Sequence, residues 1–242
     1  MASTLWRRGP TDITMGGMRH AIIALTLFAT GCSRPAKSPA DARTTNHDRA
    51  VEELTDATQV LDEMNQMSAS RRHRARCVAV IPSLLRTGFI VGGRHGDGVV
   101  SCRTASGWSP PAFISISGGS AGLQVGVESS DVVMLVMAER AKAQLFRSDF
   151  ALGADASASA GPIGEAAQAS TDTEMTAEIL CYARSRGLFA GAELSGAVIK
   201  QDVDALVAIY GDHHEVHAIL GGEVAAPQEV SAFLTKLASE FP

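Results

Sequence analysis

Ten consecutive residues, Gly118-Gly119-Ser120-Ala121-Gly122-Leu123-Gln124-Val125-Gly126-Val127, constrain this chain more than any other stretch. They lie between two apolar runs, residues 112–116 and 132–137. Gly122 and Gly126 would each cost roughly 1 kcal/mol in a helix interior. Leu123, Val125 and Val127 alternate with Gln124, Gly126 and Glu128, a period of two that reads as strand. The stretch also spells G-x-S-x-G from Gly118 to Gly122, the lettering of a hydrolase nucleophile elbow. An elbow needs a strand, a sharp turn and then a helix beneath the serine. The alternation after Ser120 denies it that helix. The glycines therefore read as backbone geometry, where a strand bends or packs closely on a neighbour, and a serine hydrolase through Ser120 is the weakest alternative.

The amino terminus reads as a leader. Met18-Arg19-His20 precedes the apolar residues 21–29, the basic start and short body of a secretory signal. That body is far short of the roughly 18 residues a bilayer span needs. Residues 1–17 read as extra leader or as an upstream start, with Met15 and Met18 as alternative starts. The signal ends in Ala29-Thr30-Gly31-Cys32, which resembles a bacterial lipobox with Ala29 in place of the usual leucine. The resemblance implies that Cys32 is the lipidated first residue of the mature chain; an ordinary secreted protein with a free Cys32 is the alternative. Ser33 is not the aspartate that retains many lipoproteins at the inner membrane, so the outer membrane is expected, with the domain facing the periplasm or the cell surface. An anchor of two or more acyl chains holds stably. The expected organisation is a leader over residues 1–31, a Pro-, Ala-, Ser- and Arg-rich tether over 32–45, and one domain over 46–242.

An apolar share of 45% supplies a proper core, and with 5% aromatics that core must be mostly Val, Ile, Leu and Ala. Losing residues 1–31 removes Arg7, Arg8, Arg19 and Asp12, which takes the net charge from −5 to −7. That balance argues against a nucleic-acid partner. Three cysteines remain, Cys77, Cys102 and Cys181, at spacings that match no zinc ligand pattern. Two readings stand: a disulfide between Cys77 and Cys102, or three buried apolar thiols.

Residues 46–67 read as an amphipathic helix, with Ala50, Val51, Leu54, Ala57, Leu61 and Met64 on one side and Glu52, Glu53, Asp56, Asp62 and Glu63 on the other. Arg71-Arg72-His73-Arg74-Ala75-Arg76 follows, the one dense basic run of the mature chain. Arg71, Arg72, Arg74 and Arg76 are the candidates for lipid headgroups, each contributing about 1 kcal/mol at an anionic surface. The plainer reading is a solvated helix-to-strand connection. Residues 77–81 are expected to form a short buried strand stopped by Pro82, and residues 83–86 a helical turn. Residues 88–103 read as a hairpin turning near 95–98. Strands are expected over 112–117 and 132–137, in the small-residue run 153–164, and over 179–184 and 187–199; helices over 138–146, 202–209 and 228–241, the last burying Val230, Phe233, Leu234 and Leu237.

Several blocks recur in a known order: Ile81-Pro82-Ser83-Leu84-Leu85, Gly88-Phe89-Ile90-Val91-Gly92-Gly93, Gly96-Asp97-Gly98-Val99, and Trp108-Ser109-Pro110-Pro111-Ala112-Phe113. The glycine stretch itself, Ser130-Asp131-Val132-Val133, Leu152-Gly153-Ala154-Asp155, Gly161-Pro162-Ile163-Gly164, residues 182–191 and Tyr210-Gly211 complete them. From 78 to 211 the chain resembles the SYLF domain family, shared by yeast and animal actin- and phosphoinositide-associated proteins and by many bacterial lipoproteins. The resemblance implies an α+β fold, a β-rich antiparallel sheet or barrel-like core flanked by helices. It also implies a binding domain without catalytic residues or cofactors, whose partner is membrane phospholipid of unspecified headgroup. The amino-terminal helix is acidic here, which leaves headgroup contact to the four arginines. An exported domain does not meet actin, so envelope proteins are the other partner class. The alternative function is an envelope scaffold whose only lipid contact is its anchor.

Two further constellations carry little chemistry. His213-His214-Glu215-Val216-His217 is one residue short of H-E-x-x-H, and Glu223 follows a Gly-Gly turn, so it reads as a polar connection and no metal is expected. Asp131 and Asp155 are not read as a catalytic pair. Asp131 begins an apolar strand, and Asp155 lies among small residues where a bond to backbone is the commoner role.

Overall fold

The computed structural model describes residues 39–63, 67–147, 149–162, 177–185, 188–211 and 215–242, all within one unit, Lys37–Pro242. The dominant feature is a pair of very long antiparallel strands, β1 (Cys77–Thr104) and β3 (Ala112–Val136), with the two-residue β2 (Gly107–Trp108) between them. Held straight, a strand of 28 residues would run about 90 Å, far longer than a small domain. The ladder folds in half instead. A side chain at Gly92 would collide with the carbonyl of Thr87, one at Gly96 would meet Ile81 at 2.9 Å, and one at Gly98 would strike the Val80 carbonyl. Cys77 is disulfide-bonded to Cys102. The first half of β1 thus lies face to face with its second half.

Each half recruits further strands. The amino-terminal half of β3 pairs with β8 (Val198–Gln201), which pairs with β4 (Asp149–Ala151). The carboxy-terminal half pairs with β6 (Ile179–Ser185), flanked by the parallel β5 (Ala158–Ala160) and by β7 (Leu188–Gly191). The result is a curled, mixed sheet of eight strands, an α+β fold as expected. Small residues let its layers close: a side chain at Gly161 would occupy the ring of Tyr182.

Helices cover the sheet. The first, α1 (Pro39–Asp62), buries Ala50, Leu54, Ala57, Val60 and Leu61, the expected stripe with Val60 added and Val51 only half-buried; Met64 lies outside the described residues. Glu53 departs from its assignment to the polar side, being 8% exposed. The other helices among the described residues are α2 (Ala69–Arg74), α3 (Glu139–Leu145), α4 (Val203–Tyr210), α5 (Val216–Gly221) and α6 (Ser231–Glu240), the last preceded by a 3-10 turn, Gln228–Val230. The Asp202 carboxylate caps α4 through the Ala205 N–H at 3.0 Å. Val230, Phe233 and Leu237 are buried as expected, and Leu234 is half-buried. None of the described helices is long and apolar enough to cross a membrane.

Four expectations are corrected. Pro82 does not stop the strand. Residues 81–84 bulge against β3, where Ser83 takes φ 55° and donates its N–H to the Asp131 carboxylate at 3.0 Å. This half of β1 pairs with β3 alone, so the missing N–H of Pro82 faces no ladder partner. Residues 83–86 are accordingly strand, not a helical turn. No hairpin turn occurs at 95–98; those residues continue in register against 115–117 and 114, and the reversal is the bend near 88–92. Of the small-residue run, only Ala158–Ala160 and the bridge of Leu152 to Ala156 join the sheet among the described residues.

Candidate functional site

The basic run forms α2, and its four arginines diverge. Ser68 caps the helix, its hydroxyl accepting from the Arg71 N–H, and Arg71 itself is 7% exposed. Arg72 turns to α6, pairing with the Glu240 carboxylate at 2.9 Å and donating to the Glu240 carbonyl at 3.1 Å. Arg76 pairs with Glu139 at 3.3 Å on the surface. Arg74 reaches the Ser70 carbonyl at 3.4 Å and is otherwise exposed. Arg103 then clamps the same corner: its guanidinium lies 4.5 Å over the Trp108 ring and donates to the carbonyls of Ala75, Phe241 and Pro242 at 3.0, 3.1 and 2.8 Å. Trp108 donates to the Phe241 carbonyl at 3.1 Å. Planar guanidinium forks suit this carbonyl-gathering role. Arg72 serves the seam between α2 and the carboxy terminus, Arg71 is buried, and Arg74 and Arg76 are the cations presented to solvent.

The glycine stretch forms the second half of the bend. Ser120 stands opposite Gly92 in the ladder, and β3 continues from it to Val136 without a helix. The nucleophile elbow is therefore absent. Gly118 abuts Ala197, where an added side chain would lie 3.0 Å from the Ala197 Cα. On the outside of the bend, Leu85 is 42% exposed and Val127 73% exposed. Leu85 pairs with Ser129 and Thr87 with Val127, which sets these two apolar side chains diagonally on one face. Among the described residues Val203, at 61%, is the other exposed large aliphatic.

The two aspartates weighed for catalysis are structural. Asp131 accepts from Ser83 N–H and from Arg184, whose Nε lies 2.9 Å away. The Asp155 carboxylate accepts the Ala151 N–H at 2.7 Å, the side-chain-to-backbone role expected of it. His213 and His214 lie outside the described residues, as does Cys32. Glu215 precedes α5 and His217 is exposed on it. Among the described residues no cluster of three His, Cys, Asp or Glu side chains could hold a metal. Cys181 is buried, and burial pushes its thiol up to about 12, which leaves it unreactive. Glu53 was invisible as a special residue in the sequence. Burial first, then Asp97 and Asp202, push its carboxyl up to about 9.

Residues 117–240 match a family described as "Ysc84: Las17-binding protein actin regulator". Among similar proteins, Protein YSC84 of Saccharomyces cerevisiae is 37% identical over 172 residues, covering 69% of this chain and 36% of that protein. LAS seventeen-binding protein 3 of the same yeast is 35% identical over 172 residues, covering 69% and 37%. SH3 domain-containing YSC84-like protein 1 of Xenopus laevis is 34% identical over 159 residues, covering 64% and 47%. The chain thus spans between about a third and a half of the length of these relatives.

Proposed function

Because the chain belongs to the Ysc84 (SYLF) family, we propose that its folded-hairpin domain is a non-catalytic binding module that meets a lipid surface. In this reading the module is tethered to the bacterial outer membrane through a lipidated Cys32. The observation that carries the lipid contact is the exposed pair Leu85 and Val127 on the outside of the bend, an apolar corner in a chain with few other exposed large apolar side chains among the described residues. Arg74 and Arg76 add surface cations that an anionic leaflet would attract. The Cys77–Cys102 bridge suits the oxidising compartment that an exported lipoprotein enters.

The test is flotation of the full chain carrying Cys32→Ser, so that no acyl chain contributes, on phosphatidylcholine vesicles with and without phosphatidylglycerol. Binding is expected, falling several-fold in Leu85→Ser and Val127→Ser. Arg74→Ala and Arg76→Ala should lower only the phosphatidylglycerol component. No flotation on either vesicle sinks the lipid reading.

A second reading has its own support, since relatives such as LAS seventeen-binding protein 3 are named for binding another protein. For this chain it becomes an envelope scaffold whose lipid contact is limited to the anchor. A photo-crosslinker at position 127 in intact cells separates the two, forming a protein adduct under the scaffold reading and a lipid adduct under the first.

A further inference from the structure

The inside of the bend is as unusual as its outside. Facing positions along the folded β1 follow a regular progression: Cys77 with Cys102, Val80 and Ile81 with Gly98, Leu84 with Gly96, Thr87 with Gly92. Side chains alternate across a strand, so residues in step with Leu84 point inward with it, and residues in step with Gly92 and Gly96 point back toward them. Arg86 and Arg94 occupy those two inward positions, across from each other in the same progression. Leu84 is fully buried, Leu85 exposed and Arg86 half-buried, as that alternation requires.

The two guanidiniums therefore lie on the same inner side of the bend, near enough that the charge of Arg86 acts on Arg94. Arg94 is held in place by backbone: its Nη2 donates to the Gly119 carbonyl at 3.0 Å and its Nη1 to the Glu193 carbonyl at 3.5 Å. The Nε atoms of both arginines are shut off from solvent without a hydrogen-bond partner. Arg94 is held below the usual arginine range, first by burial and then by the charge of Arg86. Two carboxylates stand near. Glu193 faces Arg94 but accepts the Ser195 N–H at 2.7 Å, and Glu128 is across the ladder from Arg86 but turns to the Ser185 hydroxyl at 3.4 Å. Neither lies within 4.0 Å of Arg86 or Arg94 as an ion pair. A buried N–H left unpaired is costly, and two like charges in one cleft repel. A tetrahedral oxyanion placed between the forks relieves both, because each guanidinium presents parallel donors matched to two of its oxygens.

We propose that the cleft between the two halves of β1 is a phosphate-binding site, in which Arg86 and Arg94 grip a phosphate oxyanion from either side. The phosphate is either that of a phospholipid headgroup, in which case the site supplies the polar half of the lipid contact proposed above, or a free phosphate. Arg94, preset by two carbonyls, orients the ligand; Arg86, with no hydrogen bond or ion pair among the described residues, closes on it.

The experiment uses the full chain with Cys32→Ser. Inorganic phosphate is titrated against chloride at constant ionic strength, followed by thermal shift and by calorimetry, and the same proteins are floated on phosphatidylcholine vesicles with and without phosphatidylglycerol. Phosphate should raise the melting temperature of the unsubstituted protein, and Arg86→Gln should weaken its binding by about tenfold or more, the scale of a lost charge-assisted bidentate contact. Arg86→Lys keeps the charge without the fork and should fall between. Melting without phosphate is the folding control, and Arg86→Gln should melt no lower than its parent, since it relieves a repulsion. If flotation falls with phosphate affinity in Arg86→Gln, the ligand is a headgroup. If phosphate affinity falls while flotation holds, or flotation is absent throughout, the site stands as a free-phosphate site, and the latter result removes only the lipid-surface reading. Equal phosphate binding by parent and Arg86→Gln, or none by either, overturns the proposal.

Discussion

At the closed end of the folded hairpin, Cys77 is bridged to Cys102, and Val80, Val99, Val100 and Phe113 are all buried without measurable exposure. At the bend of the same two strands, Leu85 and Val127 face solvent, and Arg86 and Arg94 share the inner side. One ladder thus supports both a dry core and a polar cleft with an apolar rim. The difference lies in what opposes each half. Backbone approaches backbone at both ends, at Gly98 and at Gly92, but the bend has cations where the closed end has valines. Buried apolar side chains carry stability, and partly exposed cations are free to meet ligands.

The comparison breaks most readily at Gly98. Gly98→Val would drive a side chain into the Val80 carbonyl, where neither partner can yield, and should cost about 3 kcal/mol or more. Chemical denaturation would show it, and a variant as stable as its parent would mean that the two halves do not meet there. Replacing Cys77 and Cys102 together by serine opens a loop of β1 with a sequence separation of 25, and should cost about 3 kcal/mol in oxidising buffer. The parent should lose a similar amount on reduction; a parent indifferent to reductant would argue against the bridge.

Glu53 is buried on α1, within electrostatic reach of Asp97 on β1. Its native carboxyl titrates near 9 against 4.5 in the unfolded chain, so between those values the native state holds a proton that the unfolded state has released. Stability from this group is therefore full below about pH 4.5 and falls as pH rises toward 9, by at most about 1.4 kcal/mol per pH unit. Glu53→Gln should flatten that slope in melting curves taken from pH 5 to 9, and an unchanged slope would place the buried proton elsewhere. The smallest stability effect belongs to the bend: Leu85→Ser and Val127→Ser should each shift stability by less than about 0.5 kcal/mol, since both are already exposed. A larger loss would show that the outer face is covered, which would count against its being a contact surface.

Much of the fold was legible because its signals are local. The stripe of Ala50, Leu54, Ala57 and Leu61 announces α1, and the alternation from Leu123 to Val127 announces strand and removes the nucleophile elbow. The candidate site was legible only as a composition of basic residues. Arg72 belongs to the run that local charge marks for lipid headgroups, yet it holds Glu240, a residue 168 positions away. Glu53 was assigned by its charge to a polar face that the packed domain buries. Nothing in the local sequence around Arg86 or Arg94 says that the two come together.

Local patterns suffice to specify a β-rich α+β domain of small and branched residues whose glycines answer to backbone geometry. Periodicity and propensity act over a few residues and are written locally. Which glycine bends the ladder and which lets its halves touch is decided only in three dimensions. Gly92 and Gly98 are alike in the sequence, yet one lies at the reversal and the other against Val80, and the choice follows from where Cys77, Ile81 and Leu84 find their partners across the folded strand. The same long-range pairing that closes the core brings two arginines to one cleft.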